Sequence, residues 1–402
     1  MDALRARNLG DLSPSACTNV KVLHLGKFDG DVGGIERHLR ALLGGMPPEI
    51  RVVNLVANDR AVTDERQHNG YPTVRVANYG SLASVALAPT MPSVARRLHR
   101  QHRFDLVHLH FPDPLGHLTA LRLPRSVPRV ISWHSDIVKQ QWALALYRPF
   151  LRSFVQSADA LIGATPQHFS TSTQIPAAAG RQLREVIPYG IDSASFTSST
   201  EAQLQRDQLQ RERGPRNLIF AVGRHVYYKG FETLIRAMQT IDADLWIGGR
   251  GPLTHSLKVL ATDAGVADRV KFLGFIPDHL LPAYYETCDV FCMPSVERSE
   301  QFGIVQLEAM ACSKPVVTTR LGTGVEYVTI DGVTGLLVPP KDADALANAL
   351  RTLLNDKELR TRMGAAGKQR VEQVFSLDQM IRRTVEVYQH VIARRSTRPL
   401  AG

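Results

Sequence analysis

Short apolar runs, each long enough for one β-strand, recur along the chain and alternate with stretches of helical periodicity. In the first half these runs cover 20–25, 51–56, 105–110, 129–133 and 159–163, and helices are expected notably over 93–102 and 140–156. Runs that are apolar throughout, without alternation, are typical of strands buried on both faces of a sheet. The pattern predicts a parallel sheet covered by helices.

The same pattern begins again after the most polar stretch of the chain, 193–216. The later strands are expected at 217–222, 244–248, 269–273, 289–293 and 315–318. We therefore predict an α/β protein with two doubly wound, Rossmann-like domains. The predicted boundaries are a flexible lead-in over 1–19, a first domain over 20–192, a linker with a short helix over 193–216, a second domain over 217–376, and a C-terminal helix and tail over 377–402.

Two carboxylates, Glu300 and Glu308, flank a loop that we expect to turn on Gly303 and to open an apolar helix at Ile304. A helix start favours an anion, because its first backbone N–H groups lack partners and its dipole is positive there. A Glu inside an apolar helix is seldom buried unless something binds it. One ligand site could therefore use both carboxylates.

The arrangement Glu300, Phe302-Gly303, Glu308 resembles the hallmark of the retaining glycosyltransferases of family 4 (GT4), which have the GT-B fold. The resemblance spans about residues 20–395. It implies two domains facing a cleft, a last helix that crosses back onto the N-terminal domain, a nucleoside-diphosphate sugar as donor, and no metal. The tracts around Trp133 and Glu300 look most like bacterial mannosyl- or rhamnosyl-transferring enzymes of surface-polysaccharide assembly.

Two cations, Arg224 and Lys229, follow the first strand of the second domain. An Arg that can fork onto phosphate and a Lys that acts as a point charge suit a diphosphate leaving group. The alternative is a pair of surface cations on a loop. In the resembled family the two residues neutralise the departing diphosphate, which a metal does in other enzymes.

The resemblance also assigns donor contacts to other loop residues. The pair Gly33-Gly34 allows backbone N–H groups to approach a phosphate, and Glu36 is its companion in the family, although Glu36 also suits a helix N-terminus. His134 is expected to contact the transferred hexose, with Asp136 as a hydrogen-bond partner, whereas His108 and His110 read as ordinary strand residues. Gly249 and Phe275 match loops near the nucleotide and its base, or are simply turn residues.

Composition limits the partners. The chain has 402 residues and a net charge of +10, which suits an anionic partner such as a sugar nucleotide or an acidic membrane surface. It contains no RNA-binding signature, so nucleic acid ranks last. Four cysteines, Cys17, Cys288, Cys292 and Cys312, favour reduced thiols and a cytoplasmic location. No signal peptide and no stretch long enough to cross a membrane are evident.

Two Asp-Ala-Asp stretches, at 242–244 and 342–344, resemble metal-binding pairs. We reject both, because the first precedes a strand, the second caps a helix, and the resemblance implies a metal-independent enzyme. The predicted activity is hexose transfer from a nucleoside-diphosphate sugar, with GDP-mannose favoured and a UDP-sugar left open, to a glycan or polyprenyl-linked acceptor. The alternatives are a nucleotide-sugar epimerase on the same fold and an inert nucleotide-sugar-binding partner.

Overall fold

The computed structural model describes residues 19–29, 34–68, 70–82, 85–137, 141–176, 182–197 and 199–396. Two compact units are present. The first unit comprises Met1–Gly163, Thr173–Ile187 and Met380–Gly402, and the second comprises Ala164–Ser172 and Pro188–Gln379. No described helix has the length and apolar character needed to span a membrane.

The first unit is built on one large sheet and a small hairpin. Its described strands are β1 (Val20–Phe28), β2 (Ile50–Ala57), β3 (Asp64–His68), β4 (Tyr71–Val76), β5 (Ser81–Leu82), β6 (Val85–Ala86), β7 (Leu106–Phe111), β8 (Arg129–Trp133), β9 (Ala160–Gly163) and β10 (Leu183–Val186). The large sheet has the order β10-β9-β8-β7-β1-β2-β4-β3, and β5 pairs with β6. Neighbouring strands of the large sheet are parallel except β3 and β4.

Four helices of the first unit accompany these strands, and α2 shows how they pack. They are α1 (Gly34–Gly44), α2 (Met91–His102), α3 (Pro114–Ala120) and α4 (Gln141–Ser157). In α2, Met91, Val94, Ala95 and Leu98 are buried, a spacing that places them on one helix face. The arginines of α2 face the solvent. The predicted helices over 93–102 and 140–156 are therefore confirmed.

The second unit contains a six-stranded parallel sheet of order β13-β12-β11-β14-β15-β16. The strands are β11 (Leu218–Val222), β12 (Asp244–Gly248), β13 (Val270–Gly274), β14 (Val290–Met293), β15 (Val316–Thr319) and β16 (Gly335–Val338). Strands such as β14 and β15 are buried along their whole length, as the continuous apolar runs predicted.

Helices of the second unit cover this sheet. They are α5 (Pro166–Ser170), α6 (Ser193–Thr197), α7 (Thr200–Glu212), α8 (Phe231–Ala237), α9 (Thr254–Asp263), α10 (Leu281–Thr287), α11 (Ile304–Ala311), α12 (Val325–Val328), α13 (Ala343–Asn355), α14 (Lys357–Val374) and the start of α15 (Leu377–Ser396). Two buried apolar clusters that share the strands but involve different helices show that both faces are packed. The predicted fold class is confirmed for each unit.

The stretch 193–216, predicted as a linker with one short helix, forms α6 and α7 within the second unit. The hydroxyl of Ser199 caps α7 by accepting a bond from the Ala202 N–H at 3.0 Å. Arg213, just beyond α7, donates to the Asp289 carboxylate at 2.7 Å. The stretch looks polar because α7 buries little besides Ala202 and Leu209.

The C-terminal helix α15 joins the first unit from Met380 onward. Its Tyr388 hydroxyl lies among histidines of that unit, and Arg395 forms an ion pair with Asp159 at 2.9 Å. The expected packing of the last helix on the N-terminal domain is confirmed.

Candidate functional site

The second sheet reverses its strand order between β11 and β14. In open α/β sheets, ligands bind beyond the carboxyl ends of the strands at such a reversal. The loop after β11 carries Arg224 and Lys229, and the loop after β14 carries Glu300. The topology therefore places the predicted cations and the first predicted carboxylate at this point of the second unit.

Lys229 is positioned by a close contact between these two loops. It ends a short 3-10 helix, and Gly230 follows with φ +68°. A Cβ at Gly230 would lie 1.9 Å from the Pro294 carbonyl oxygen, so only glycine allows the loops to approach this closely. Arg224 is exposed beside them, and one of its terminal nitrogens donates to the Tyr228 hydroxyl at 3.2 Å.

Lys229 and Glu300 form an ion pair, with the Lys229 Nζ 2.6 Å from Glu300 Oε2. The Ser295 hydroxyl donates to the same carboxylate oxygen at 3.0 Å. Burial lowers the pKa of Lys229, but the negative charge of Glu300 and the hydrogen bond outweigh burial, so the pKa is raised overall. Lys229 is therefore a held cation, and two residues that the sequence assigned to separate roles are directly bonded.

Glu308 lies inside α11, the helix that follows the loop of Glu300. As predicted, the chain turns on Gly303, with φ +74°, and α11 begins at Ile304. Glu308 is 2% exposed, and its Oε2 accepts a bond from the Tyr285 hydroxyl at 2.7 Å. Phe302 is buried and packs against Tyr189, with ring centroids 4.7 Å apart. Phe302 therefore supports the loop, and Ile304 is half-buried at the helix start.

Gly249 and Phe275 lie at the same edge of the second sheet, after β12 and β13. Gly249 has φ +107°, and a Cβ there would lie 2.0 Å from the Gly223 carbonyl oxygen. The Gly249 N–H donates to the Gly274 carbonyl at 2.6 Å. The side chain of Phe275 is 63% exposed, so it is available to a ligand.

In the first unit, Gly34 is exposed and begins α1, with Glu36 in its first turn. Gly33 lies outside the described residues. His134 follows β8 and is buried. Asp136 accepts bonds from the Trp133 ring at 3.0 Å and from the Thr173 backbone at 3.0 Å.

His134 belongs to a series of hydrogen-bonded side chains that the sequence analysis missed. We name the series the histidine chain; its members, in order, are Ser132, His108, Tyr388, His24, His110 and His134. All six are buried. The available signal was the spacing of His108 and His110, because residues two apart on a strand share one face.

Burial is the main cause of the low basicity of the histidine chain. It lowers the pKa of His24, His108 and His110 well below the ordinary value, and neighbouring histidines lower it further. Burial also raises the pKa of Tyr388 well above its usual range.

The ligand atoms of His24, His108 and His110 lie within 4.8 Å of one another, close enough to share a metal ion.

The aspartates of the two Asp-Ala-Asp stretches and the described cysteines contribute to the fold. Asp342 caps α13 by accepting a bond from the Ala345 N–H at 2.8 Å, and Asp242 and Asp244 form ion pairs with Arg216. The described cysteines, Cys288, Cys292 and Cys312, are buried free thiols, and burial raises the pKa of Cys288 to about 12. Cys17 lies outside the described residues.

Comparison with known families identifies both halves of the chain. Residues 204–370 match the model of the glycosyl transferases group 1, and residues 32–195 match that of glycosyltransferase family 4.

Individual relatives agree with these matches. The chain is 36% identical over 277 residues to the D-rhamnosyltransferase WbpZ of Pseudomonas aeruginosa, covering 68% of this chain and 70% of that protein. It is 32% identical over 354 residues to a GDP-mannose-dependent phosphatidylinositol monomannoside mannosyltransferase of Mycolicibacterium smegmatis, covering 84% and 89%. Sucrose-phosphate synthase from Thermosynechococcus elongatus has a similar fold, with a TM-score of 0.78 at 23% identity over 94% of this chain and 100% of that one.

Proposed function

This chain belongs to the group 1 and family 4 glycosyltransferases, and on that basis we propose that it transfers a hexose from a nucleoside-diphosphate sugar with retention of configuration. The observation that carries the proposal is the Lys229–Glu300 ion pair at the strand reversal of the second unit. A held ammonium, with Arg224 on the same loop, is the arrangement that a departing diphosphate requires. The acceptor is a glycan or a lipid-linked saccharide.

Arg224 and Lys229 would act mainly in the transition state. Negative charge grows on the diphosphate as the glycosidic bond breaks, and cations already in place then stabilise it without reorganisation. Glu300 holds Lys229 in position, and its carboxylate would also bind a hydroxyl of the transferred sugar. We assign no carboxylate as a nucleophile; retention would follow from attack on the face that the diphosphate leaves.

Glu308 would bind the ribose hydroxyls of the donor. The Tyr285 hydroxyl bonded to Glu308 Oε2 supports this role, because it orients the carboxylate within an apolar helix. Ribose hydroxyls do not change during the reaction, so this contact would contribute equally to the ground state and the transition state.

The donor is proposed to be GDP-mannose or a related GDP-sugar, on the grounds that one relative is named as GDP-mannose-dependent and another as a D-rhamnosyltransferase. A thermal-shift panel of GDP-mannose, GDP, UDP-glucose and UDP tests this. A ligand that binds only the folded protein raises its stability by mass action, about 2.7 kcal/mol at 100 times its Kd. If only UDP-glucose and UDP stabilise the protein, the donor is a UDP-sugar and not a GDP-sugar.

The enzyme is proposed to act at an anionic membrane surface on the cytoplasmic side, near a lipid-linked acceptor. In α2, Arg96, Arg97 and Arg100 are exposed, Arg103 follows the helix, and its sequence contains no acidic residue. Each basic residue near such a surface contributes about 1 kcal/mol.

Basic residues near the C-terminus contribute less to this proposal than those of α2. Arg383 and Arg395 are paired with Glu185 and Asp159. Vesicle sedimentation should show salt-sensitive binding to anionic vesicles, reduced in an Arg96→Glu/Arg100→Glu variant. Equal binding to neutral and anionic vesicles would remove the membrane from the proposal.

A further inference from the structure

Four large apolar side chains on two neighbouring helices of the first unit are exposed. Leu118 lies on α3 and Leu121 directly follows that helix, while Leu146 and Phe150 lie on α4. Their exposed fractions range from 52% to 73%. Single exposed apolar residues are ordinary, but a contiguous group of them marks an interaction surface. We name these four residues the α3–α4 patch.

The contact between α3 and α4 brings the patch together. His117 of α3 bonds the Tyr147 hydroxyl of α4 at 2.7 Å and stacks on the Phe154 ring, with centroids 3.8 Å apart. Residues three or four apart on a helix are neighbours. This spacing places Leu121 beside His117, and it places Phe150 between Tyr147 and Phe154. The other two patch residues lie one helical turn before Leu121 and Phe150, so the patch follows the line where the two helices meet.

The packing of α4 within the first unit does not account for its exposed apolar residues. Leu144, Leu151 and Val155 are buried, and their spacing places them on one side of the helix. Leu146 and Phe150 point roughly 140° away from that side at 3.6 residues per turn. The helix therefore has one apolar side for the core of the unit and a second one that the core does not use.

The surroundings of the patch are basic. Exposed arginines belong to the turn after α3 and to α4, namely Arg122, Arg125, Arg148 and Arg152. Over 114–157 the sequence contains a single acidic residue, Asp136. The α3 helix also packs against α2, whose exposed arginines carry the proposed membrane contact. Leucine and phenylalanine bordered by arginines are typical of surfaces that enter the headgroup region of an anionic bilayer.

Charge decides between a bilayer and a second copy of the chain as the occupant of this surface. A two-fold pairing of two copies would bring the same arginines together, and like charges across an interface are unfavourable. An anionic bilayer accepts the arginines at its headgroups and the apolar side chains beneath them. The basic border of the patch therefore favours the bilayer.

We propose that the α3–α4 patch inserts into the boundary between headgroups and acyl chains of an anionic membrane, while the arginines around it bind the headgroups. The inference rests on the proposed membrane location and not on the proposed sugar transfer. The arginines of α2 supply an attraction that salt screens, whereas insertion of the patch removes apolar surface from water, which salt does not screen.

Binding to vesicles of equal parts phosphatidylglycerol and phosphatidylcholine tests the patch. The variant is Leu146→Gln/Phe150→Gln, which keeps every arginine. Because it replaces only exposed side chains, its Tm should equal that of the wild type. Leu146→Gln alone is compared with Leu204→Gln, the matched control, since Leu204 is a leucine with 67% exposure on α7 of the second unit.

The measurement is made in low salt and in about 1 M salt, where the Debye length falls to about 3 Å. We expect the wild type and Leu204→Gln to retain part of their binding in high salt. Each apolar side chain kept out of the bilayer should weaken binding about tenfold, so the double variant should bind about a hundredfold more weakly than the wild type. Equal binding by the double variant and the wild type would overturn the proposal, as would an equal loss in Leu146→Gln and Leu204→Gln.

The Arg96→Glu/Arg100→Glu variant separates the patch from the contact proposed for α2. If this variant binds like the wild type while the patch variant does not, the α2 contact is refuted and the patch stands. The reverse result refutes the patch and leaves the α2 contact standing. A wild type that binds vesicles as predicted but transfers no sugar would refute the proposed sugar transfer alone.

Sedimentation of the same proteins without vesicles tests the alternative occupant. We expect the wild type and Leu146→Gln/Phe150→Gln to have the same oligomeric state. A wild-type dimer that becomes a monomer in this variant would assign the patch to a second copy of the chain and overturn the proposal.

Discussion

The buried histidines of the first unit should make the protein sensitive to mild acid, and His38 allows the effect to be measured for one group. His38 is 8% exposed, and burial lowers its pKa to about 4. In the unfolded chain a histidine has a pKa of about 6.5. Because the folded value is the lower one, the unfolded state binds more protons, and stability is lost as the pH falls from about 6.5 toward 4.

The magnitude follows from these two pKa values. Between pH 7 and pH 5 the unfolded state gains protons at His38 while the folded state gains few, which costs about 1.8 kcal/mol of folding free energy. His24, His108 and His110 add to the loss in the same direction. Asp113 opposes it, because burial raises its pKa to about 6, which offsets about 1.3 kcal/mol over the same range.

The assay compares wild type with His38→Gln, a side chain that does not titrate. Urea unfolding at pH 7 and pH 5 is followed by tryptophan fluorescence in a Trp246→Phe background. Of the three tryptophans, this leaves Trp133 and Trp142, both in the first unit. We expect the loss of stability between pH 7 and pH 5 to be smaller by about 1.8 kcal/mol in His38→Gln than in the wild type. This difference does not depend on how much the substitution itself changes the free energy of unfolding at pH 7.

His102→Gln is the control for this assay, since His102 is exposed on α2 whereas His38 is buried. An equal loss of stability in wild type and His38→Gln would refute the reasoning. It would mean that His38 already binds its proton in the folded state at pH 5.

Three further predictions concern the second unit. Glu308→Gln should raise donor KM more than it lowers kcat; a lower Tm with unchanged kinetics of the folded fraction would instead indicate a packing role. Gly230→Ala should lower the free energy of unfolding by about 1–3 kcal/mol more than Gly265→Ala, because both have φ +68° but only Gly230 faces a backbone oxygen; equal losses in denaturant titrations would contradict this. Sugar transfer should survive EDTA, since Arg224 and Lys229 supply the cationic charge; loss of activity that Mg²⁺ or Mn²⁺ restores would exclude that role.

Much of the fold could be predicted because its signals are local. The runs over 129–133 and 315–318 are mainly apolar, and both form strands shifted by at most one residue. Gly303 is followed directly by an apolar stretch, and the structure begins α11 there. Such features depend on the spacing of neighbouring residues, which a single sequence displays.

The interactions that assemble the candidate site are not local, and they could not be predicted in the same way. His24 and Tyr388 are 364 positions apart, and the sequence around neither residue predicts a contact with the other. Lys229 and Glu300 are separated by 71 positions; the sequence assigned both to the donor but did not show that they bind each other. The polar sequence of 193–216 predicted a linker with a short helix, but it did not show that α7 packs within the second unit, because only a few residues of α7 are buried.

The central claim is that Arg224 and Lys229 promote departure of a nucleoside diphosphate during sugar transfer. Its most direct test is the transfer of labelled mannose from GDP-mannose to lipid-linked saccharide acceptors by the wild type, Arg224→Ala and Lys229→Ala. Loss of one preorganised contact typically lowers kcat by about 10²–10³. We expect labelled glycan from the wild type and losses of that size in kcat for each variant, with a smaller effect on donor KM. Full activity in both variants, or release of free mannose without transfer by the wild type, would contradict the account.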